Sequence, residues 1–145
     1  MSKTTKQSAW PALLTARAQI VDEVERRLAG AGLPELAWYD VLWALERAPT
    51  GRLRMYELAS QTVVTRSNIT RLVDRLEAAG LVARERDGED RRGAFAQVTP
   101  LGRRMREKMW KVYGAAIAEL FEAHLSEAEN ATMRACLLRI IEATA

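Results

Sequence analysis

The sequence predicts a mostly α-helical fold of the α+β class, with one small β-sheet. Apolar residues recur at helical spacing over most of the 145 residues. Two short runs, Val82 to Asp87 and Ala94 to Val98, flank a polar loop with two glycines, which is typical of a β-hairpin. A hydrophobic fraction of 48% and a charged fraction of 28% are those of a globular chain. We expect one buried core, and no apolar run is long enough to cross a bilayer.

Two helices open the predicted order of elements. The first runs from Trp10 to Leu28, where apolar residues recur at helical spacing, and Gly30 and Gly32 end it. The second runs from Glu35 to Arg47 and breaks at Pro49.

A short strand and two more helices follow. Arg52 to Arg54 is polar, apolar and polar in turn, which indicates one small strand. Met55 to Gln61 is a short helix, and a tight connection leads to a helix from Thr65 to Ala79. Gly80 is well placed as the left-handed stop of that helix.

After the hairpin, two helices complete the chain. Thr99 caps a helix that begins with a proline at its first turn and is predicted over Pro100 to His124. Ser126 and Glu129 form a capping-box pattern for a last helix that ends near Thr144.

Few residues offer enzymatic or metal chemistry. With Cys136 and His124 each the sole residue of its type, we expect no intramolecular disulfide, no Cys-rich zinc site and no His-Cys or multi-His metal site within one chain. No phosphate loop, nucleophile elbow or distinctive carboxylate pair is present, so we expect no catalytic residues, no cofactor and no metal. Cys136 is interpreted as a buried, inert thiol. The polar start, Met1 to Ser8, lacks a signal-peptide core, which predicts a cytoplasmic protein.

Positive charge is concentrated in the middle third of the chain. The net charge is only +3, but twelve arginines and seven carboxylates between Arg52 and Arg106 give that segment +5 and leave −2 elsewhere. Every cation in the segment is arginine, whose planar fork suits phosphate oxygens and guanine edges. An arginine-rich and alanine-rich composition explains part of the count but not its clustering. The distribution favours double-stranded DNA as a partner.

The helix after Thr65 has one apolar face and one polar face. The apolar face is at the spacing that docks a helix on a core, and the short hydroxyls opposite let the backbone approach a surface while arginines reach past it. Its N-terminal amides favour phosphate. With Leu58 and the small Ala59 before it, this helix predicts a helix-turn-helix that lacks the usual turn glycine. The apolar residues are Ile69, Leu72, Val73 and Leu76; the polar ones are Ser67, Thr70, Arg71 and Asp74, with Arg66 at the flank.

The hairpin loop supplies a second basic element. Arg91 and Arg92 lie between Asp87 and Gly93, and paired arginines at a hairpin tip suit the negative potential of a narrow minor groove. A solvated turn that only aids solubility is the alternative for an isolated charged hairpin. Directly after a helix-turn-helix, we favour DNA contact.

These motifs together resemble the MarR family of bacterial transcription regulators, which are dimeric winged helix-turn-helix proteins. The resemblance covers nearly the whole chain, and the wing motif at its distance from the helix is its most specific part. It rests on Leu58-Ala59, on the segment from Ile69 to Glu77, on Gly80-Leu81-Val82, on Asp90-Arg91-Arg92 and on Val98-Thr99-Pro100-Leu101-Gly102.

The resemblance implies a fold, a partner and an activity. It implies a mostly α winged helix-turn-helix whose N- and C-terminal helices, in residues 1–33 and 100–145, form a dimerisation domain, with a DNA-binding lobe at residues 34–99. A homodimer would bind a palindromic operator and repress transcription. The implied DNA contacts are Thr65, Arg66, Ser67, Asn68, Thr70 and Arg71 on the recognition helix and Arg91 and Arg92 on the wing.

The resemblance also implies a small aromatic or phenolic anion as an effector, bound between the dimerisation helices and the lobe. Aromatic walls with one arginine suit such a ligand, although tryptophan and tyrosine at helical spacing are more often core. An alternative function is a winged-helix module for protein–protein contact without sequence-specific DNA binding, which the +5 segment disfavours. The candidate pocket residues are Trp10, Arg17, Trp38, Tyr39 and Trp43.

Overall fold

The structure, a computed structural model, describes residues 7–62, 66–86 and 94–145. The mostly helical α+β fold is confirmed, with a small three-stranded sheet. The helices are α1 (Trp10–Gly30), α2 (Leu36–Arg47), α3 (Met55–Gln61), α4 (Arg66–Ala78), α5 (Pro100–Leu120) and α6 (Glu127–Thr144), with a 3₁₀ helix at Glu122–His124. The strands are β1 (Arg52–Arg54), β2 (Val82–Arg86) and β3 (Ala94–Val98).

Two helix ends differ from the prediction by two residues or more. α1 continues through Gly30, and the chain turns only at Gly32, whose φ of 71° lies in the left-handed region that favours glycine. α5 ends at Leu120 instead of His124, because Phe121 leaves helical geometry (φ −122°) and the next residues tighten into a 3₁₀ turn.

The other predicted caps are confirmed by hydrogen bonds. The amide of Gly102 donates to the hydroxyl of Thr99 at 3.0 Å, which caps α5. The Ser126 and Glu129 side chains exchange hydrogen bonds with each other's backbone at 3.1 and 2.9 Å. Gly80 has φ 77° and stops α4.

The sheet joins the strand before the helix-turn-helix to the hairpin after it. The strand order is β1-β3-β2 and both pairings are antiparallel. Leu53 lies opposite Ala96, and Val82 lies opposite Val98. These four residues are buried and form the inner face of the sheet, so the sheet closes one side of the lobe.

Two hydrophobic clusters meet at α2. The larger one fills the lobe between the sheet and α2, α3 and α4, and includes Leu42, Leu45 and Leu58. The smaller one joins α1, α2 and α5 around Leu28 and Met109. α2 is therefore the element that connects the lobe to the long helices.

An ion-pair network also ties α2 to α5. Glu46 accepts hydrogen bonds from Nε and Nη2 of Arg106 at 2.5 and 3.2 Å, and lies 3.6 Å from Arg103. The Arg106 guanidinium also lies 5.1 Å from the centre of the Trp43 ring. The start of α5 also lies close to the sheet at Gly102. A Cβ at this position would overlap the carbonyl group of Leu81, so the close approach requires glycine.

The last helix, α6, packs little against the rest of its own chain. It buries none of its residues. Cys136 on this helix is half-buried, with its Sγ 3.2 Å from Nη2 of Arg139. The thiol is therefore only partly buried within a single chain, where Cys136 borders the open apolar cavity between α6 and the start of α1. Of the helices in the described ranges, none has the length and apolar character to span a membrane.

Candidate nucleic-acid interface

The helix α4 is fixed by its apolar face. Ile69, Leu72, Val73 and Leu76 are all buried in the lobe cluster, as the spacing predicted. Leu58 on α3 is buried in the same cluster and Ala59 is half-buried against it. The two helices therefore pack as a helix-turn-helix, with α4 in the second position.

The opposite face of α4 is open to solvent. Asn68, Thr70 and Arg71 are exposed, and these are three of the six predicted recognition-helix residues. Arg66 and Ser67 form the first turn of α4, but their side chains are not among those described. Thr65 and both wing arginines, Arg91 and Arg92, lie outside the described residues.

Some arginines of the segment between Arg52 and Arg106 make contacts within the sheet. On the outer face of the sheet, the guanidiniums of Arg52 and Arg54 both contact the Phe95 ring, each 4.4 Å from the ring centre. Arg52 also pairs with Glu85 at 3.3 Å. The count of twelve arginines therefore exceeds the number that are available to contact DNA.

Arg84 on β2 makes a contact that the sequence analysis missed. It lies opposite Ala96, on the inner face of the sheet, and its side chain reaches α4. Its Nη2 donates to the carbonyl oxygen of Thr70 at 3.1 Å and pairs with the carboxylate of Asp74. A signal was present in the sequence, since Arg84 follows Val82 in the alternation that places apolar side chains inward.

The five predicted ligand residues do not share one cavity. Trp10 is exposed at the start of α1, and Arg17 is exposed on the same helix. Tyr39 is buried in the smaller cluster, and the ring of Trp43 lies under the Arg106 guanidinium. Their use as an effector pocket stays a prediction, and this geometry gives it little support.

Two of the predicted tryptophans, Trp38 and Trp10, line two separate cavities. Trp38 lines an open cleft of about 500 Å³ between the α1–α2 connection, Arg75 of α4 and Met105 of α5. Trp10 lines an apolar cavity of about 490 Å³ between the start of α1 and α6, together with Phe121 and residues of α6.

An aromatic cluster on α2 and α5 was also missed. The Tyr39 ring stacks on Trp110 with centres 5.9 Å apart and meets Tyr113 edge-on at 5.0 Å. Burial raises the pKa of both tyrosines, so their hydroxyls stay protonated at neutral pH. Among the described residues no group of three or more histidine, cysteine or carboxylate side chains is arranged to hold a metal.

The core-docked second helix with an exposed polar face, followed by a hairpin, defines a winged helix-turn-helix protein. The model of the MarR family matches residues 31–93. The HTH-type transcriptional repressor YetL of Bacillus subtilis (strain 168) is 31% identical over 107 residues, which are 74% of this chain and 64% of YetL. The chain spans between 46% and 71% of the length of the curated relatives it matches.

Solved structures match over almost the entire chain. AbsC of Streptomyces coelicolor, a MarR family transcriptional regulator, is 28% identical with a TM-score of 0.87, covering 99% of this chain and 97% of AbsC. Sco3205 of the same organism, a MarR family regulator solved in complex with DNA, is 26% identical with a TM-score of 0.89, covering 100% of this chain and 94% of Sco3205. The family model and these solved structures agree that the chain is similar to MarR family transcription regulators.

Proposed function

We propose that the chain is a cytoplasmic regulator that, as a homodimer, binds a palindromic operator in double-stranded DNA and represses transcription by occupying it. The observation that carries the proposal is α4, where Asn68, Thr70 and Arg71 are exposed while the opposite face is fixed in the core. Because the buried face fixes the helix, its polar side chains keep constant positions relative to the lobe. Hydrogen bonding to base edges in the major groove requires such fixed positions. The solved complex of Sco3205 with DNA and the repressor YetL support it.

The wing would complete the contact. Arg91 and Arg92, in the loop between β2 and β3, are proposed to enter the adjacent minor groove, where negative potential is enhanced. The +5 charge between Arg52 and Arg106 supports this assignment, because the remaining chain carries −2. Binding should weaken steeply with salt, since arginine–phosphate contacts release counterions.

The dimer is proposed to form through the terminal helices. Large apolar side chains are exposed on α1 and α6, among them Trp10, Leu14, Ile140 and Ile141. α6 buries none of its residues within one chain, and the apolar cavity beside Trp10 opens between the same two helices. Residues 1–33 and 100–145 would then form the dimerisation domain and residues 34–99 the DNA-binding lobe.

The proposal is tested by selecting bound sequences from a random DNA pool and measuring affinity by fluorescence anisotropy. Arg71→Ala should cost about 1–3 kcal/mol on the selected operator and relax preference at one position. Arg26→Ala, at an exposed arginine of α1, is the control and should leave affinity unchanged. A wild-type chain that dimerises but selects no sequence would favour the protein–protein module instead.

A ligand that releases DNA is proposed to bind in the cleft beside Trp38. Trp38 and Arg75 line the same cleft, so an aromatic carboxylate would find both an aromatic side chain and a cation there. Glu35 lines the cleft too and lies 3.9 Å from Arg75, so the ligand carboxylate would replace Glu35 as the partner of Arg75. The cleft lies between α4 and α5, so a bound ligand would change the orientation of the DNA-binding lobe relative to the long helices. A panel of phenolic carboxylates added to the DNA complex tests this; no loss of anisotropy with any of them would contradict it.

A further inference from the structure

Arg84 occupies a position in the sheet that normally takes an apolar side chain. Its backbone pairs with Ala96, which is fully buried, and Val82 two residues earlier is buried on the same face. An arginine pointing inward from an edge strand must find acceptors, because an unpaired buried guanidinium is strongly unfavourable. Its Nε is buried and has no acceptor among the described residues. Its Nη2 is therefore the atom that secures the side chain.

Both acceptors of that atom belong to α4. The carbonyl oxygen of Thr70 accepts at 3.1 Å, and the Asp74 carboxylate, one helical turn further on, accepts from the same nitrogen. Thr70 is itself a proposed DNA-contact residue. One guanidinium thus links β2, the strand that leads into the wing loop, to the outward-facing turn of the recognition helix.

We infer that Arg84 is a positioning residue, which together with Asp74 fixes the wing strand to the recognition helix so that both DNA-contacting elements keep one relative orientation. This inference rests on the proposed DNA-binding function. In this role the Arg84 side chain binds α4, whereas its positive charge alone would predict a contact with DNA phosphate.

The two roles predict opposite results for Asp74. If Arg84 binds phosphate, Asp74 only competes with DNA, and Asp74→Ala should tighten binding by removing a negative charge and freeing a cation. If Arg84 is a positioning residue, Asp74→Ala should weaken binding to the selected operator even though the protein becomes more positive. The sign of the change separates the roles.

The experiment is anisotropy titration of the full chain with the selected operator at several salt concentrations. We expect Asp74→Ala and Arg84→Ala each to weaken specific binding about tenfold, and the double variant to be no worse than either. The slope of affinity against salt should stay that of the wild type, because no phosphate contact is lost. Arg84→Lys should restore part of the affinity, since one ammonium can donate to both acceptors.

Glu85→Ala is the matched control for Asp74→Ala. Its carboxylate is 57% exposed against 58% for Asp74, and it points to the opposite face of the sheet, where it pairs with Arg52. It should leave specific binding unchanged or slightly tighter. Tighter binding by Asp74→Ala, or a salt slope reduced by about one in Arg84→Ala, would overturn the positioning role.

Amide hydrogen exchange without DNA gives a second measurement. Arg84→Ala and Asp74→Ala should speed exchange in residues 66–78 while the rest of the lobe keeps its protection. Unchanged exchange in that helix would also overturn the inference. A wild-type chain that binds no DNA would instead overturn the proposed function, and the exchange result would still decide whether Arg84 secures α4.

Discussion

Asp40 is an ionisable residue in a largely apolar setting. It lies half-buried on α2, next in the chain to Tyr39 in the smaller cluster. Burial, and then the charge of Glu25, raises the pKa of Asp40 to about 6, while Arg47 acts in the opposite direction. The folded state therefore disfavours the ionised carboxylate, and Asp40 contributes most to stability when it is protonated.

We predict that Asp40→Asn stabilises the protein at pH 7.5 but not at pH 4. An acid whose pKa is raised in the folded state loses stability as pH rises between its unfolded and folded pKa values, here from about 4 to about 6. At pH 7.5 the gain should be about 1 kcal/mol, after allowance for solvent screening at a half-buried site. Urea unfolding at both pH values measures it; equal differences at the two pH values would contradict it.

At the scale of elements, the joint between α2 and α5 depends on one carboxylate. Glu46 serves both Arg106 and Arg103, and the side chains of Glu46 and Arg106 are only 15% and 14% exposed. Removing the carboxylate leaves the shielded guanidinium of Arg106 without this acceptor, where solvent can replace it only in part, whereas Arg103 is 45% exposed and can turn to solvent. The same joint connects the lobe to the long helices.

We predict that Glu46→Ala lowers the free energy of unfolding by about 2 kcal/mol. Glu119→Ala is the matched control: Glu119 also links two helices, through Arg27, but its side chain is 65% exposed and it serves one partner. Its loss should be clearly smaller, because solvent replaces an exposed partner. Chemical denaturation compares the two, and equal losses would contradict the assignment.

The elements were predictable from the sequence because their signals are local. Apolar periodicity located the buried face of α4, and Thr99, Ser126 and Gly80 marked helix ends through hydrogen bonds to near neighbours. Partners across elements were not predictable, since periodicity gives the face of a helix but not what packs on it. Arg84 with Asp74 and Arg106 with Glu46 are pairs of this kind.

The proposed ligand residues illustrate the same limit. Trp10 and Trp38 both belong to the first two helices, but Trp10 begins a helix of 21 residues, which is roughly 30 Å long. Trp38 lies on α2, next to the connection that follows the far end of that helix. Periodicity assigned each tryptophan to a helix but did not say which residues of other elements lie beside it, so the two were grouped although the length of α1 separates them.

At the scale of the whole molecule, the exposed apolar surface is concentrated on α1 and α6. Ile140 and Ile141 are 57% and 60% exposed in one chain, and no residue of α6 is fully buried in its own chain. Burial of such side chains in a second copy is worth about 25 cal/mol per Å² of apolar area. Two recognition helices would then be held at a fixed separation, which sets the spacing of the operator half-sites.

We predict that Ile141→Asp dissociates the proposed dimer. A carboxylate buried without a partner at the interface should raise the dimer dissociation constant by more than about 100-fold and lower operator affinity with it. Ala78→Asp, at an exposed position of α4 away from the terminal helices, should leave the oligomeric state unchanged. Sedimentation velocity over a range of concentrations measures both, and a variant that stays dimeric would place the interface elsewhere.

The pairing of β1 with β3 has a consequence for synthesis on the ribosome. Leu53 meets Ala96 only after the whole helix-turn-helix has been made, so the lobe cannot close until β3 has emerged from the exit tunnel. Until then the inner faces of α3 and α4 lack the sheet that covers them, and chaperones have access to their leucines. The nascent chain is therefore most exposed to misfolding just before its third strand appears, and α5 forms only after that interval.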